Sequence, residues 1–234
     1  MKFLRNFLRK IKYKIKFIGK LNNNFFYLSN FTIDKKLTDL MNFYGSDKGG
    51  LNDHHNYTAY YSEIFSSRKN TIKTFLEVGL GTNNTNIPSN MGPTGKPLAS
   101  LRAWRDYFSN AQIYGGDIDR SILKNEERIK TYFVDQNDPV SISEMFKNFN
   151  VEKFDIIIED GLHEYNANIS FFENAISYLS EDGIYIIEDI FYKDIKKFEE
   201  YFKKTKYKFS IIEIFHSKNI ANNALINITK KHRH

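Results

Sequence analysis

Two apolar segments of the sequence each end in side chains that could do chemistry. Asp160 follows the first segment, with His163 three residues later, and the second segment ends in Glu188 and Asp189. Adjacent parallel strands lie about 4.8 Å apart, so the three acids are expected to converge. Clustered carboxylates repel one another unless they are protonated or bound to a cation. An oxygen-only set without cysteine suits Mg²⁺, with water or substrate hydroxyls completing the shell.

A metal ion at these acids would assist the removal of a proton from a hydroxyl group. The ion would orient the acceptor hydroxyl and lower its pKa, and His163, with an intrinsic pKa of about 6.5, is suited to take the proton. The alternative is that the acids cap helices and His163 only packs. Its position three residues after a strand-end acid, in an Asp-Gly turn, favours the functional interpretation.

A glycine-containing turn follows an earlier apolar segment. Glu77 precedes Gly79 and Gly81, and glycine lets the backbone turn sharply and approach a ligand closely. A dinucleotide site would have Gly-x-Gly-x-x-Gly and an acid about twenty residues on. Asn84 stands at the third glycine position and the next strand-end acid is Asp117. This pattern favours S-adenosylmethionine over NAD, and a simple turn is the alternative.

Three acids fall at the ends of successive predicted strands. Glu77 lies beside the first turn, Asp117 ends the second strand and Asp135 ends the third. A carboxylate at the end of the second strand can accept hydrogen bonds from both hydroxyls of a ribose. Asp135 would lie near an adenine. The three acids in register predict a nucleoside pocket.

Alternating strands and helices position these residues. Apolar strands are predicted near 74–79, 112–117, 130–134, 154–159 and 183–188. Helical stretches are predicted near 34–43, 99–109, 121–128, 139–148, 165–179 and 194–204. This alternation predicts βαβ units and a parallel sheet whose strand ends share one edge. The last two runs, 207–215 and 222–229, predict an antiparallel hairpin, and 82–98 is predicted to be a loop over the cofactor edge.

Composition limits the classes of function. The 234 residues carry a formal net charge of +6 and no cysteine, which excludes disulfides, thiolate zinc sites and a cysteine nucleophile. Residues 1–20 contain eight lysines and arginines and no acid, so the remaining 214 residues sum to −2. The body of the protein is therefore not basic, and no nucleic-acid partner is expected.

Three regions are predicted along the chain. Residues 1–21 form a basic amphipathic helix, which could lie on an anionic membrane surface or dock on its own domain or a second subunit. Residues 22–73 form a helical cap over the cofactor site, and 74–234 form the catalytic domain. In the cap, His54, His55 and nearby tyrosines could form a substrate wall, with a capped turn and amphipathic helix as the alternative.

As an ordered set, these segments resemble a known family. The matching pieces are Tyr-Gly-Ser-Asp-Lys-Gly at 44–49, Leu-Glu-Val-Gly-Leu-Gly at 76–81, Ser-Leu-Arg-Ala-Trp at 100–104, Tyr-Gly-Gly-Asp-Ile at 114–118, Asp-Gln at 135–136, Asp-Gly-Leu-His at 160–163 and Ile-Glu-Asp at 187–189. They resemble the class I S-adenosylmethionine-dependent methyltransferases, and within them the metal-dependent bacterial O-methyltransferases typified by macrolide sugar O-methyltransferases. Leu162 departs from the small or polar residue common in such turns, and a large N-terminal domain, present in some members, is not expected.

The resemblance implies a fold and a set of roles. The fold is α/β, a Rossmann-like seven-stranded sheet, mostly parallel with a C-terminal antiparallel hairpin and helices on both faces. Residues implied to bind the methyl donor are Tyr44, Ser46, Lys48, Glu77, Gly79, Gly81, Ser100, Arg102, Asp117, Asp135, Gln136 and Asp160. The metal would be held by Asp160, Glu188 and Asp189, with His163 as the general base.

The sequence therefore predicts a cytoplasmic, Mg²⁺-assisted methyltransferase that transfers a methyl group from S-adenosylmethionine to an oxygen of a small polar acceptor. A sugar hydroxyl is the first choice. A nucleotide-activated capsule precursor, including one with a phosphate- or phosphoramidate-type oxygen, is the second. Residues 1–21 leave open either a peripheral contact with the inner membrane surface or docking on the protein itself, and a homo-oligomer is a further option. The alternatives are a non-catalytic methyltransferase-like binding protein and an NAD-dependent oxidoreductase.

Overall fold

The computed structural model describes residues 24–28, 34–216, 218–219 and 222–230. The predicted amphipathic helix over 1–21 lies outside the described residues. The strands are β1 Phe25–Leu28, β2 Thr74–Val78, β3 Gln112–Asp117, β4 Ile129–Phe133, β5 Phe154–Glu159, β6 Leu179–Ile187, β7 Lys208–Ile214 and β8 Ala224–Thr229. The α-helices are α1 Lys35–Tyr44, α2 Thr58–Phe65, α3 Ala99–Tyr107, α4 Pro139–Phe149, α5 Tyr165–Ala175 and α6 Ile195–Phe202. None of the described helices is long and apolar enough to cross a bilayer.

The strands form one mixed sheet in the order β1-β7-β8-β6-β5-β2-β3-β4. Strand β8 pairs antiparallel with both β6 and β7, and the other pairs are parallel. Strands β2 to β8 are the predicted seven, including the C-terminal hairpin, so this prediction is confirmed. The parallel strands carry their C-terminal ends, and with them the predicted acids, to one edge.

Helices cover both faces of the sheet. Helices α1, α2 and α3 pack on one face through side chains such as Met41, Phe65 and Trp104, and α4, α5 and α6 cover the other. Within β5, Ile156 belongs to the first apolar layer and Ile157 to the second. Each large side chain buried in these layers contributes about 1.5–3 kcal/mol, so the sheet is a rigid base for its edge loops.

Two elements differ from the sequence prediction. Strand β1 adds an eighth strand beside β7, so the predicted helical cap over 22–73 is not wholly helical. The helix predicted near 121–128 is wrong, because only a short 3₁₀ turn, Arg120–Ile122, forms there. Arg128 has a φ of 54°, and its guanidinium donates hydrogen bonds to the carbonyl groups of Arg105, Phe108 and Ala111. These contacts hold the segment in a non-helical path.

Candidate active site

A cleft opens at the C-terminal ends of β2, β3, β4 and β5. Strand β2 lies between β3 and β5, so the chain leaves it in one direction toward β4 and later returns on its other side. Such a switch point is where open α/β sheets bind ligands. The walls come from the loops after these strands, from residues 46–48 and from the loop between β2 and α3.

Gly79 allows two strand-end loops to touch through their backbones. Its φ is 94°, and a Cβ added there would lie 1.9 Å from the carbonyl oxygen of Asp160. The Asp160 amide in turn donates to the carbonyl of Val78 at 2.7 Å. Because only glycine fits this position, the donor-side turn and the loop carrying Asp160 are locked together. Gly81 has a φ of 79°, and a Cβ added there would lie 2.1 Å from the side-chain sulfur of Met91.

Glu77 is fully buried at the end of β2 and keeps one oxygen free of hydrogen bonds. Its Oε2 accepts a hydrogen bond from the indole Nε1 of Trp104 at 2.8 Å. Its Oε1 has no hydrogen-bond partner among the described residues. Burial raises the pKa of Glu77 to about 7, against the opposing charge of Lys48. A buried acceptor without a hydrogen-bond partner fits a cationic ligand group such as an ammonium.

Asp117 is anchored by the backbone while still lining the cleft. Its two oxygens accept hydrogen bonds from the amides of Leu80, at 2.6 Å, and Asp119, at 2.8 Å. Burial raises the pKa of the Asp117 carboxyl group. Each carboxylate oxygen has a second lone pair, so this fixed group can still accept from a pair of ligand hydroxyls. The apolar Ile118, 47% exposed, follows it on the cleft wall.

Asp135 and Gln136 differ in how many of their side-chain hydrogen-bonding groups are bound to other parts of the protein. Half-buried Asp135 lines the cleft and caps the turn that follows it, accepting from the amide of Asn137 at 2.9 Å. The Gln136 amide uses both ends, donating to Glu159 at 2.8 Å and accepting from the amide of Leu162 at 2.7 Å. Gln136 therefore braces the loop after β5, and these two bonds leave its second amide hydrogen and its second carbonyl lone pair unused.

Glu159 anchors this brace beneath the cleft. Gln136, Asn168 and Tyr185 all donate hydrogen bonds to its carboxylate, at 2.7 to 2.8 Å. Burial raises the pKa of Glu159 to about 8. The loop carrying Asp160 and His163 is therefore held from below by a connected polar network.

Asp160, His163 and Asp189 form the group that could hold a metal ion. One ligand atom from each lies within 4.8 Å of the others. His163 Nε2 is 3.0 Å from Asp160 Oδ1, and His163 Nδ1 is 3.4 Å from Asp189 Oδ2. Burial acts to lower the pKa of His163, but Asp160 and Asp189 raise it to about 9. His163 and Asp189 both have positive φ angles, 59° and 55°, a strain that is common at functional sites.

Glu188, which the sequence grouped with the metal ligands, faces a different partner. It accepts hydrogen bonds from Lys48 Nζ at 2.6 Å and from the hydroxyl of Tyr61. Lys48 also donates to Asp160 and is itself 2% exposed. The structure thus brings Asp160 and Glu188 together through a lysine ammonium, while the candidate cation group contains His163 in place of Glu188.

The segment before β2 supplies partners that sequence reasoning missed. The hydroxyl of Tyr57 donates to Asp189 Oδ1 at 2.5 Å, and His55 Nε2 lies 3.4 Å from the same oxygen. Tyr57 and Tyr61 are four residues apart, so they project from one side of the chain at the start of α2. The tyrosine- and histidine-rich run was the available signal, but nothing in the sequence indicated which acids it would meet.

Two predicted donor-binding residues lie outside the cleft walls. The hydroxyl of Tyr44 donates to Asp106 at 2.6 Å. The guanidinium of Arg102 donates to both oxygens of Glu126, with its Nη2 at 2.7 Å. These partners occupy their polar ends, and Tyr44 and Arg102 are not among the described residues that line the cleft. Ser46, Lys48 and Ser100, by contrast, line the cleft as predicted from the motif.

No protein-family model matches the chain. It is 32% identical over 147 residues to the 8-demethyl-8-alpha-L-rhamnosyl tetracenomycin-C 2'-O-methyltransferase of Streptomyces olivaceus, covering 63% of this chain and 35% of that protein. It is also 32% identical over 155 residues to the mycinamicin VI 2''-O-methyltransferase of Micromonospora griseorubida, covering 66% of this chain and 36% of that protein. The chain is a homologue of these sugar O-methyltransferases. It spans about a third of the length of these curated relatives.

Solved structures agree with this homology. The MycE methyltransferase of the mycinamycin pathway, in complex with Mg and SAH, matches with a TM-score of 0.57 and 30% identity over 70% of this chain and 42% of that chain. The SAH-bound Podospora anserina methyltransferase PaMTH1 is only 13% identical but matches at a TM-score of 0.53 over 87% of this chain and 91% of that chain. The chain therefore has the Rossmann-like methyltransferase fold.

The side chains of the cleft fit both groups of the MycE complex, Mg and SAH. Two carboxylates and an imidazole within reach of one point are a suitable donor set for a divalent cation. The unpartnered oxygen of Glu77 and the fixed carboxylate of Asp117 suit the amino group and the ribose of a nucleoside thioether. Donor and cation sites would share one loop, that of Asp160 to His163.

Proposed function

We propose that the protein is an S-adenosylmethionine-dependent O-methyltransferase that methylates a hydroxyl of a sugar, with help from a divalent cation. The observation that carries this proposal is the convergence of Asp160, His163 and Asp189 beside a cleft that Glu77 and Asp117 also line. The homology to sugar O-methyltransferases supports the same chemistry and acceptor class.

The donor would lie along the ends of β2, β3 and β4. Glu77 would accept from its amino group, and Asp117 would accept from the ribose hydroxyls. Gly79 and Gly81 let the backbone approach the methionine portion. Ile118 and Leu162 offer apolar contacts to the base. This arrangement would direct the methyl group toward Asp160 and His163.

Asp160 and Asp189 would hold the cation. When bound, a divalent cation orients an acceptor hydroxyl and lowers its pKa. We assign the proton to His163, which would stay uncoordinated beside the cation, since it carries the only imidazole among the described residues lining the cleft. A cation on Asp160 and Asp189 would offset the carboxylate charge that raises the pKa of His163. The hydroxyl would give its proton to a ring nitrogen of His163, and its oxygen would form a bond to the methyl carbon as the carbon–sulfur bond breaks. Because the displacement is in line, positioning of the two reactants supplies much of the acceleration.

The finer acceptor specificity, for a nucleotide-activated capsule precursor or a phosphoramidate-type oxygen, stays a prediction. A homo-oligomer and a membrane contact through 1–21 also stay predictions. A panel assay tests the acceptor class directly. The purified protein is incubated with S-adenosylmethionine, Mg²⁺ or EDTA, and a set of nucleotide-linked sugars and glycosides, and mass spectrometry locates the added methyl group.

We expect methylation of a sugar oxygen that requires Mg²⁺ and is lost in Asp160→Asn. The matched control is Asp155→Asn, because Asp155 lies at the opposite end of β5, where it accepts from the amides of Lys73 and Thr74. Methyl transfer only to nitrogen or carbon, or transfer to oxygen that is equally fast in EDTA, would contradict the proposal.

A further inference from the structure

Lys48 is an ammonium group enclosed by acids at the junction of the donor and cation regions. It lies in the 3₁₀ turn Asp47–Gly49, where its amide donates to the side chain of Ser46 at 3.3 Å. The amide of Ser46 donates to the carbonyl of Met41 at 2.9 Å, which joins the turn to α1. The lysine backbone is therefore fixed, and only its four-carbon side chain is free to change position.

The ammonium of Lys48 touches carboxylates from three strand ends. It donates to Asp160 Oδ2 and, at 2.6 Å, to Glu188 Oε2. Glu77 Oε1 lies 3.5 Å from the same nitrogen. The other oxygen of Asp160 is within 3.0 Å of His163. One member of the candidate cation group is thus already paired with a positive charge on the protein.

We propose that Lys48 is the resident counter-ion of the candidate cation site, and that a divalent cation binding there displaces its ammonium from Asp160 toward Glu77. This inference rests on the divalent cation of the proposed function. It extends that function to Lys48, which touches both the donor region and the cation region.

Two observations support the displacement. A divalent cation on Asp160 would lie within a few ångströms of Lys48 Nζ, and like charges so close in a buried site repel strongly. The second observation is that Glu77 Oε1 has no hydrogen-bond partner among the described residues, and its two lone pairs can accept from Lys48 as well as from the amino group of a methyl donor. A small shift of the ammonium would shorten its 3.5 Å separation from Glu77 Oε1 to a hydrogen bond. Glu188 could keep its bond throughout, so the lysine has a second position already prepared.

The displacement has a measurable consequence for affinity. Because the cation must compete with Lys48 for Asp160, removing the ammonium should tighten cation binding. Couplings of this kind are typically 5- to 150-fold, and we expect about tenfold or more for Lys48→Met. Methionine keeps much of the volume of the side chain and cannot form the ion pairs.

The test is a titration of the full chain with Mn²⁺, followed by electron paramagnetic resonance of the free ion, without methyl donor or acceptor. Lys48→Met should bind Mn²⁺ about tenfold more tightly than wild type. The control is Lys96→Met, which removes a charge from the same cleft wall, where Lys96 forms no ion pair with these acids in the described part of the chain. Its affinity should change by about twofold or less. Equal or weaker binding by Lys48→Met, or no binding by either protein, would overturn the inference.

A crystal structure of the wild type soaked with Mn²⁺ covers the case in which Lys48→Met does not fold. The inference requires Lys48 Nζ within hydrogen-bond distance of Glu77 and away from Asp160. An ion bound at Asp160 with the lysine still on that carboxylate would overturn it. Calorimetry of the wild type with S-adenosylhomocysteine is run in parallel, because donor binding by the wild type tests the proposed function separately from the displacement of Lys48.

Discussion

The two halves of the cleft are built in opposite ways. On the donor side, at β2 and β3, Gly79 and Gly81 expose the backbone, and Asp117 is fixed by two amide hydrogen bonds. On the cation side, at β5 and β6, Asp160 and Asp189 are surrounded by charged and hydroxyl side chains. The donor side therefore depends on local backbone shape, whereas the cation side depends on long-range side-chain contacts.

This difference indicates how each half should respond to mutation. Local backbone geometry fails when a side chain is added, because the two loops cannot separate without moving the strand ends. A network of side chains fails when a partner is removed, because a buried charge is left without compensation. Substitutions on one side should therefore affect mainly one ligand.

The largest expected effect is on the chemical step. His163→Ala should lower methyl transfer about 10²- to 10⁴-fold, the range of a lost general base, while donor affinity stays close to wild type. Stopped-assay rates and calorimetry with S-adenosylhomocysteine measure the two quantities. His54→Ala, which removes an exposed imidazole, is the control and should keep the wild-type rate. Turnover of His163→Ala at the wild-type rate would show that the proton goes elsewhere.

Gly79→Ala should weaken donor binding about 100-fold and cation binding as well, because its Cβ would lie 1.9 Å from the backbone oxygen of Asp160, in the loop that the two sites share. The matched control is Gly92→Ala. Gly92 has a comparable φ of 70° but no atom within 4 Å of an added Cβ, so it should cost only the strain of about 1–2 kcal/mol in unfolding free energy. Similar losses of donor affinity in both variants would mean that backbone strain, and not the contact with Asp160, controls the site.

Tyr57→Phe should weaken cation binding about tenfold and leave donor binding unchanged. The variant removes the hydroxyl that donates to Asp189 at 2.5 Å, and loss of such outer contacts typically costs 10- to 100-fold in metal affinity. Tyr60→Phe is the control, since that hydroxyl accepts from Asn227 at 2.6 Å. If the two variants bind Mn²⁺ with the same affinity as wild type, the hydroxyl of Tyr57 does not position Asp189.

The smallest effect is expected from Arg102→Leu. Its guanidinium is bound to Glu126 in a partly buried ion pair outside the cleft walls. Donor affinity measured by calorimetry should change by about twofold or less. A tenfold loss would restore the role that the sequence motif implied for Arg102.

The sequence predicted the framework of the donor side well, because its signals are local. Alternating strands and helices require the ends of parallel strands to share an edge, which places Glu77, Asp117 and Asp160 around one cleft. The glycine turn indicated a sharp turn and a close approach of the backbone to a ligand; the structure shows the turn, with Gly79 packed against the backbone of Asp160.

The cation side could not be predicted to the same depth. Lys48 and Asp160 are 112 residues apart in the sequence, and no periodicity connects them. Strand β1 was missed because its four residues depend on pairing with β7. The helix predicted at 121–128 failed because long-range hydrogen bonds from Arg128 outweigh local propensity.

One pair of titrations tests the central claim, that separate residues at one sheet edge hold a nucleoside thioether and a divalent ion side by side. S-adenosylhomocysteine and Mn²⁺ are titrated into wild type, Asp117→Ala and Asp160→Asn. We predict that Asp117→Ala loses about 10- to 100-fold in thioether affinity and keeps Mn²⁺ affinity, whereas Asp160→Asn does the reverse. Parallel losses of both ligands in both variants, or no loss in either, would contradict the account.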